Sequence, residues 1–439
     1  MSTHQGLPEQ APTAADVRGI IAKRDLVVDL IRTACVVLVV FVHITMVGVA
    51  ADEGGLRVTS PLQELPWYVA ATWIGQVMPL FFVVGGFASA VGWRSTVARS
   101  GADGSPARDW VATRLVRLYR PAVPLFVVLA LGLGVATAVG TPPELLAEVA
   151  FGIGSPLWFL AAYGITQCCV PFMVRLHERA PWRTLGVLLL LAGAVDAVRL
   201  ATGTAEVGLL NLGPVWLFAQ QLGFLWADGW FARRPKVLLL AVAAAAYALL
   251  VPMTSIGLWA PDMLQDLNPP MLPLAFLAIA QACLVQLVHA PLTRLMRTRA
   301  ALGTVFVLGR DGMTIYLWHL PLFIALNGVA LLLGAPFPEP GSGVWWATRP
   351  VALVVLLAVS LGIARALRWF DRPLPRLVPT TDRPAWPVVA VAAVCTIGPA
   401  FLVMQAHLSF GVAVVGAVGV PIGVWLLSRT APARSVRQI

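Results

Sequence analysis

LVVDLIRTACVVLVVFVHITMVGVA, residues 26–50, decides the class of fold. Its only ionisable side chains apart from the Cys35 thiol are Asp29, Arg32 and His43. At 1.5 Å per residue, a helix of this length exceeds the roughly 30 Å hydrocarbon core of a bilayer. Arg32 and His43 stand eleven residues apart. Eleven steps of about 100° return to within roughly 20° of the starting azimuth, so both side chains lie on one helix face, about 16 Å apart along the axis. An ionisable residue inside a span is costly and marks a functional site.

The rest of the chain repeats the pattern. Hydrophobic residues make up 59% and charged residues 12%, and the mean hydropathy is +0.82, which together exclude a soluble domain. Apolar runs predict twelve spans, near 26–50, 67–93, 121–140, 156–176, 184–202, 208–227, 236–255, 271–290, 303–333, 350–369, 386–405 and 408–427. The expected fold is an all-α polytopic transmembrane helix bundle. Its parts are a disordered cytosolic tail (1–25), a membrane domain (26–370), a cytosolic loop (371–385), two further transmembrane helices (386–428) and a cytosolic C-terminal tail (429–439). The polar start of the chain does not read as a cleavable signal, and the first span reads as a retained anchor.

A net charge of +10 is of the size found in nucleic-acid-binding chains, but its placement excludes that reading. Of 31 basic residues, 26 fall in tails or loops that share one side once the first span is oriented outward. Only Arg57, Arg199 and Arg349 fall on the other side. This is the positive-inside rule, and it predicts a multi-pass protein of the plasma (inner) membrane with both termini cytosolic. Cys35, Cys168, Cys169, Cys283 and Cys395 all lie within expected spans without metal-ligand spacing, so neither a disulfide framework nor a metal site is expected.

Four later stretches carry chemistry-bearing residues. They are Met78-Pro79-Leu80-Phe81-Phe82-Val83-Val84-Gly85-Gly86-Phe87, Arg114-Leu115-Val116-Arg117-Leu118-Tyr119-Arg120-Pro121, Leu157-Trp158-Phe159-Leu160 and Tyr316-Leu317-Trp318-His319-Leu320-Pro321. A neutral imidazole at His43 can take a proton from a hydroxyl and release it again. Arg114, Arg117 and Arg120 recur every three residues and suit phosphate groups. Donors for an oxyanion are available from Trp158, Trp318, Tyr163, Tyr316 and His319, and the sequence does not choose among them. His319 is expected at the depth of His43, with Pro321 freeing a carbonyl beside it. Asp29 with Arg32, and Asp196 with Arg199, are spaced to pair. Gly411, Gly416 and Gly419 suit close helix packing. His4, His177 and His289 receive no role.

Taken in order, the Arg and His of the first span and these four stretches resemble the acyltransferase-3 family of membrane acyltransferases. The resemblance covers roughly spans one to ten and leaves the last two unexplained. It implies transfer of an acyl group from cytosolic acyl-CoA to a hydroxyl of a glycan, glycolipid or other small acceptor. In that reading His43 and Arg32 are catalytic, and Trp158, Tyr163, Tyr316, Trp318, His319, Arg114 and Arg117 bind substrate. Acyl-CoA is the donor substrate, no cofactor is bound, and membrane lipids surround the chain. One position departs from the family pattern, where Gly85 stands in place of a serine. A secondary transporter or flippase is the rival reading, disfavoured because the carboxylates lie near expected helix ends. A non-catalytic scaffold would leave His43 and His319 without purpose.

Overall fold

The computed structural model describes residues 25–52, 55–100, 105–335, 337–369 and 385–428. The expected tails and the loop between the tenth and eleventh spans lie outside the described residues, apart from Asp25 and Ala385. Sixteen α-helices follow one another among the described residues. They are α1 Leu26–Met46, α2 Tyr68–Gly75, α3 Met78–Ser100, α4 Pro106–Tyr119, α5 Ala122–Ala138, α6 Pro143–Gly154, α7 Leu157–Arg179, α8 Pro181–Thr202, α9 Pro214–Ala227, α10 Lys236–Ser255, α11 Pro273–Leu295, α12 Arg299–Arg310, α13 Gly312–Leu332, α14 Gly343–Ala366, α15 Trp386–Ala406 and α16 Phe410–Ser428. Among the described residues ten helical segments are long and apolar enough to cross a bilayer, or eleven if α4 and α5, bent by 43° at Arg120–Pro121, count as one broken span. The chain is an all-α polytopic bundle and a multi-pass membrane protein.

Several boundaries differ from expectation for physical reasons. The first span stops at Met46, because Gly48–Asp52 and Gly55–Thr59 leave the helix as an antiparallel hairpin, β1 and β2. Its apolar residues had read as more helix. The expected sixth span is a 3-10 stretch, Ala205–Leu212, followed by the 14-residue α9. All but three residues of α9 are buried, so it is a core helix too short to cross alone. The expected ninth span divides at Asp311 into the amphipathic α12, with only Val305 buried, and the apolar α13. Much of the basic stretch 94–120 is helical, with Arg114 and Arg117 inside α4, directly ahead of the apolar α5.

Local chemistry explains the frame. Asp25 caps α1 by accepting from the Val27 N–H at 3.0 Å, and its other oxygen lies 3.2 Å from His289 Nε2 at the end of α11. Backbones of α3 and α9 touch, since a Cβ at Gly86 would overlap the Gln220 carbonyl and one at Gly223 would overlap that of Val83. At the end of the bundle where α1 begins, His177 bridges Gln221 Oε1 (2.8 Å) and Asp228 Oδ2 (3.0 Å), and Arg94 pairs with the same carboxylate. Burial pushes Asp228 up, but the hydrogen bonds from His177 and Arg94 outweigh it and hold the carboxyl below its ordinary value.

At the opposite end, the hairpin is pinned by Arg57 to Glu339, and Pro340 leaves no room for a Cβ at Gly48. The loop 256–272 folds inward. Asp196 accepts from Trp259 Nε1, Asn211 Nδ2 and the Leu272 N–H, so its partners are these and not Arg199. Neither Asp196–Arg199 nor Asp29–Arg32 forms an ion pair within 4 Å. In that loop burial pushes the Asp266 carboxyl up to about 7, opposed by the Ala260 N–H and assisted by the charge of Asp196. Of the three C-terminal glycines expected at close contacts, Gly416 and Gly419 make them and Gly411 faces open space.

Candidate functional site

His43 lies in the last turn of α1 and His319 lies eight residues into α13. The two helices pack through Val40 and Ile44 on one side and Ile315, Leu320 and Phe323 on the other. That seam brings the imidazoles together, with ring centroids 5.0 Å apart and His319 Nε2 3.1 Å from His43 Nδ1. His319 is wholly buried, whereas His43 is only partly so.

The hydrogen positions follow from the acceptors. His319 Nδ1 lies 2.6 Å from the Tyr316 carbonyl, which can only accept, so the hydrogen is on Nδ1 and Nε2 carries a lone pair. His43 Nδ1 lies 2.9 Å from the Val39 carbonyl and must donate as well. Its single hydrogen is shared between Val39 and His319. Nε2 of His43 makes no hydrogen bond to a described residue and is left as an unprotonated base.

Aromatic rings continue from this pair. His319 contacts Tyr316 at 5.8 Å, Tyr316 contacts Phe159 at 5.0 Å, and Phe159 stacks on Tyr163 at 5.3 Å. Trp158 and Phe82 both stack on Trp216, at 5.9 and 4.3 Å. The candidate oxyanion donors now separate. The Tyr316 hydroxyl is spent on the Pro156 carbonyl at 2.8 Å, and His319 has committed both nitrogens. Trp318 is buried with its indole N–H unpartnered, and the Trp216 N–H is in the same state.

Gly85 and Tyr163 fit as a pair. A Cβ at Gly85 would lie 2.9 Å from the Tyr163 ring and 3.0 Å from its hydroxyl. The ring cannot easily yield, because Phe81 and Phe82 meet it edge-on and Phe159 covers its face. The space a residue-85 side chain would enter is therefore filled by the Tyr163 hydroxyl.

Toward the start of α1 the charges change. Arg32, Arg99 and Arg117 are near enough to Arg114 to act on its charge, as is Tyr163. Among the described residues neither Arg32 nor Arg114 has a carboxylate within 4 Å. Arg114 lies over the Trp110 ring at 4.2 Å, and a Cβ at Gly92 would overlap its guanidinium. Arg32 and Arg114 are partly buried while Arg99 and Arg117 are exposed, and guanidiniums placed together in this way are suited to an anionic ligand. Of these cations Arg32 stands on the same helix as His43, about 16 Å away along α1.

Sequence reasoning missed Trp110, Gly92, Trp216 and Arg349. Arg349 lies 4.2 Å over Trp345 and donates to the Ile44 carbonyl at 3.3 Å, one residue beyond His43. A signal for two of them was present. Trp110 with Arg114, Trp230 with Arg234 and Trp345 with Arg349 share an i,i+4 spacing, and all three pairs form cation–π contacts.

The model of the acyltransferase-3 family, described as an acyltransferase domain, matches residues 25–369. No curated protein and no solved structure matches the chain.

Proposed function

The chain belongs to the acyltransferase-3 family and is a membrane acyltransferase; from that premise we propose that it moves an acyl group from acyl-CoA to a hydroxyl of a glycan, glycolipid or secreted small molecule, with His43 as general base. The observation that carries this reading is the bare Nε2 of His43, fixed from behind by Val39 and His319 inside a membrane-spanning helix.

In this reading the chain lies in the plasma (inner) membrane with its termini in the cytosol, which the charge bias supports. Acyl-CoA enters from the side where α1 begins. Arg32, Arg114 and Arg117 neutralise its phosphates, and the pantetheine arm extends along the bundle toward His43. The acceptor O–H gives its proton to His43 Nε2 as its oxygen bonds to the thioester carbonyl carbon. The hydrogen shared behind the ring orients the imidazolium that forms. Negative charge develops on the former carbonyl oxygen, where an unspent donor such as the Trp318 N–H can stabilise it. The C–S bond then breaks, the ester leaves, and the CoA thiolate takes the proton from His43. Tyr163 supplies the hydroxyl that Gly85 lacks, along the path of the pantetheine arm.

The test is His43→Ala in full-length chain reconstituted in liposomes with labelled acetyl-CoA, paired with mass spectrometry of surface glycans and secreted metabolites from cells carrying either form. Loss of acyl transfer with normal insertion and expression supports the reading. Undiminished transfer by the variant overturns it.

A further inference from the structure

The family match ends at residue 369, and α15 and α16 begin beyond it. These two helices do not stand apart from the site. Helix α4, which carries Arg114 and Arg117, runs antiparallel to α7 and is tied to it twice. The Trp110 indole donates to the Gln167 carbonyl at 3.0 Å, and the Tyr119 hydroxyl donates to the Leu160 carbonyl at 2.8 Å. Arg114 and Tyr163 fall between those ties.

Beside Tyr163, at Gly164, three helices meet. A Cβ there would overlap the Tyr119 hydroxyl of α4 and lie 3.2 Å from Ile397 Cγ1 of α15. On the other arm of the elbow, fully buried Phe126 of α5 fills the space of a Cβ at Gly416 of α16. The turn between the two helices adds a third grip, with Leu408 Cβ 2.7 Å from where a Cβ of Gly154 would be. The hairpin of α15 and α16 thus packs on α4, α5, α6 and α7 at once. The arginines lie two and five residues before Tyr119, the residue clamped at the node.

We infer that the α15–α16 hairpin is a positioning element of the donor site, fixing the α4–α5 elbow and thereby where the Arg114 and Arg117 guanidiniums meet the phosphates of acyl-CoA. The inference rests on the acyl-CoA reading above. It assigns the hairpin no contact with substrate. Close packing around glycines transmits position because such an interface has no slack.

The experiment measures CoA and pantetheine affinity in the full-length, detergent-solubilised chain. Gly416→Leu drives a side chain into Phe126, and Gly411→Leu places the same side chain on the same helix in open space. Expected for Gly416→Leu is a loss of about tenfold in CoA affinity, roughly one charge-assisted contact. Pantetheine, which lacks the nucleotide phosphates, should bind as it does to wild type, and Gly411→Leu should leave both unchanged. If Gly416→Leu does not fold, Ile397→Ala trims the node without overlap and should weaken CoA by a few-fold with pantetheine unchanged. Unaltered CoA affinity in the folded variant, or an equal loss for pantetheine, overturns the inference alone. Failure of the wild-type chain to bind CoA overturns the donor reading, and the inference with it.

Discussion

His319 Nε2 accepts from His43 Nδ1 at 3.1 Å, and that hydrogen is shared with the Val39 carbonyl at 2.9 Å. The arrangement separates the two histidines by role. One keeps a lone pair on Nε2 with no partner among the described residues, and the other, wholly buried, keeps the first ring in that tautomer. His43→Ala should lower kcat by about 10²–10⁴-fold, the usual worth of a positioned base. His319→Ala should cost only about tenfold, because Val39 still holds the Nδ1 hydrogen. Steady-state kinetics on both variants checks the order, and equal losses would contradict the division of labour.

Gly92 leaves the room that the Arg114 guanidinium occupies. Gly92→Ala should therefore raise KM for acyl-CoA by about tenfold through a displaced charge-assisted contact, with kcat at saturating donor within about twofold. An initial-rate series in acyl-CoA separates the two. A fall in kcat alone would place the effect elsewhere.

Gly85→Ser presses a side chain against the Tyr163 ring at 2.9–3.0 Å. Overpacking of this kind costs about 1–3 kcal/mol. Tyr163→Phe removes only the hydroxyl, so the double variant should recover part of the stability lost by Gly85→Ser. A double-mutant cycle on thermal unfolding should give a coupling of about 0.5 kcal/mol or more, and strict additivity would disprove the contact.

Arg349 joins α14 to the Ile44 carbonyl while resting on Trp345. Arg349→Gln should release the end of α1 just beyond the base, lowering kcat several-fold while leaving CoA affinity unchanged. Isothermal titration with CoA beside turnover assays measures both, and a change confined to CoA affinity would refute the assignment.

Asp266 supplies a pH dependence of stability. Its folded-state carboxyl is raised to about 7, above the ordinary 3.8. Between those values the folded state holds a proton that the unfolded chain has released. The contribution of Asp266 to stability is therefore full below about pH 4, falls as pH rises through 7, and is absent above. Asp228, held low, works in the opposite sense and is lost only at acid pH. The difference in melting temperature between wild type and Asp266→Asn, followed from pH 4 to 8, should change across that window and nowhere else.

Much of this was legible in the residues. Apolar length and the bias of basic residues announced the bundle, because a bilayer imposes both directly. Helical periodicity placed Arg32 and His43 on one face. The shared depth of His43 and His319 was expected from their places in two spans, and the contact between the rings came from the structure. What escaped had tertiary causes. α9 is short because its surroundings already bury it, and the hairpin after Met46 is apolar like the helix it ends. The expected Asp196–Arg199 pair failed because Asp196 satisfies itself with donors 15, 63 and 76 residues away. Gly92 matters for what is absent at it, which no pattern of side chains reveals, whereas the close contact at Gly416 was legible in the glycine spacing of the last helix.

Guanidinium and imidazole mounted near the two ends of α1 amount to a ruler. A helix does not stretch, so the gap it sets is a fixed length against which every carrier is measured. A thioester whose arm falls short can be held at one end or react at the other, never both. On the acyl-CoA reading proposed above, a donor whose arm falls short of that length would be refused before any pocket inspects the group being passed on.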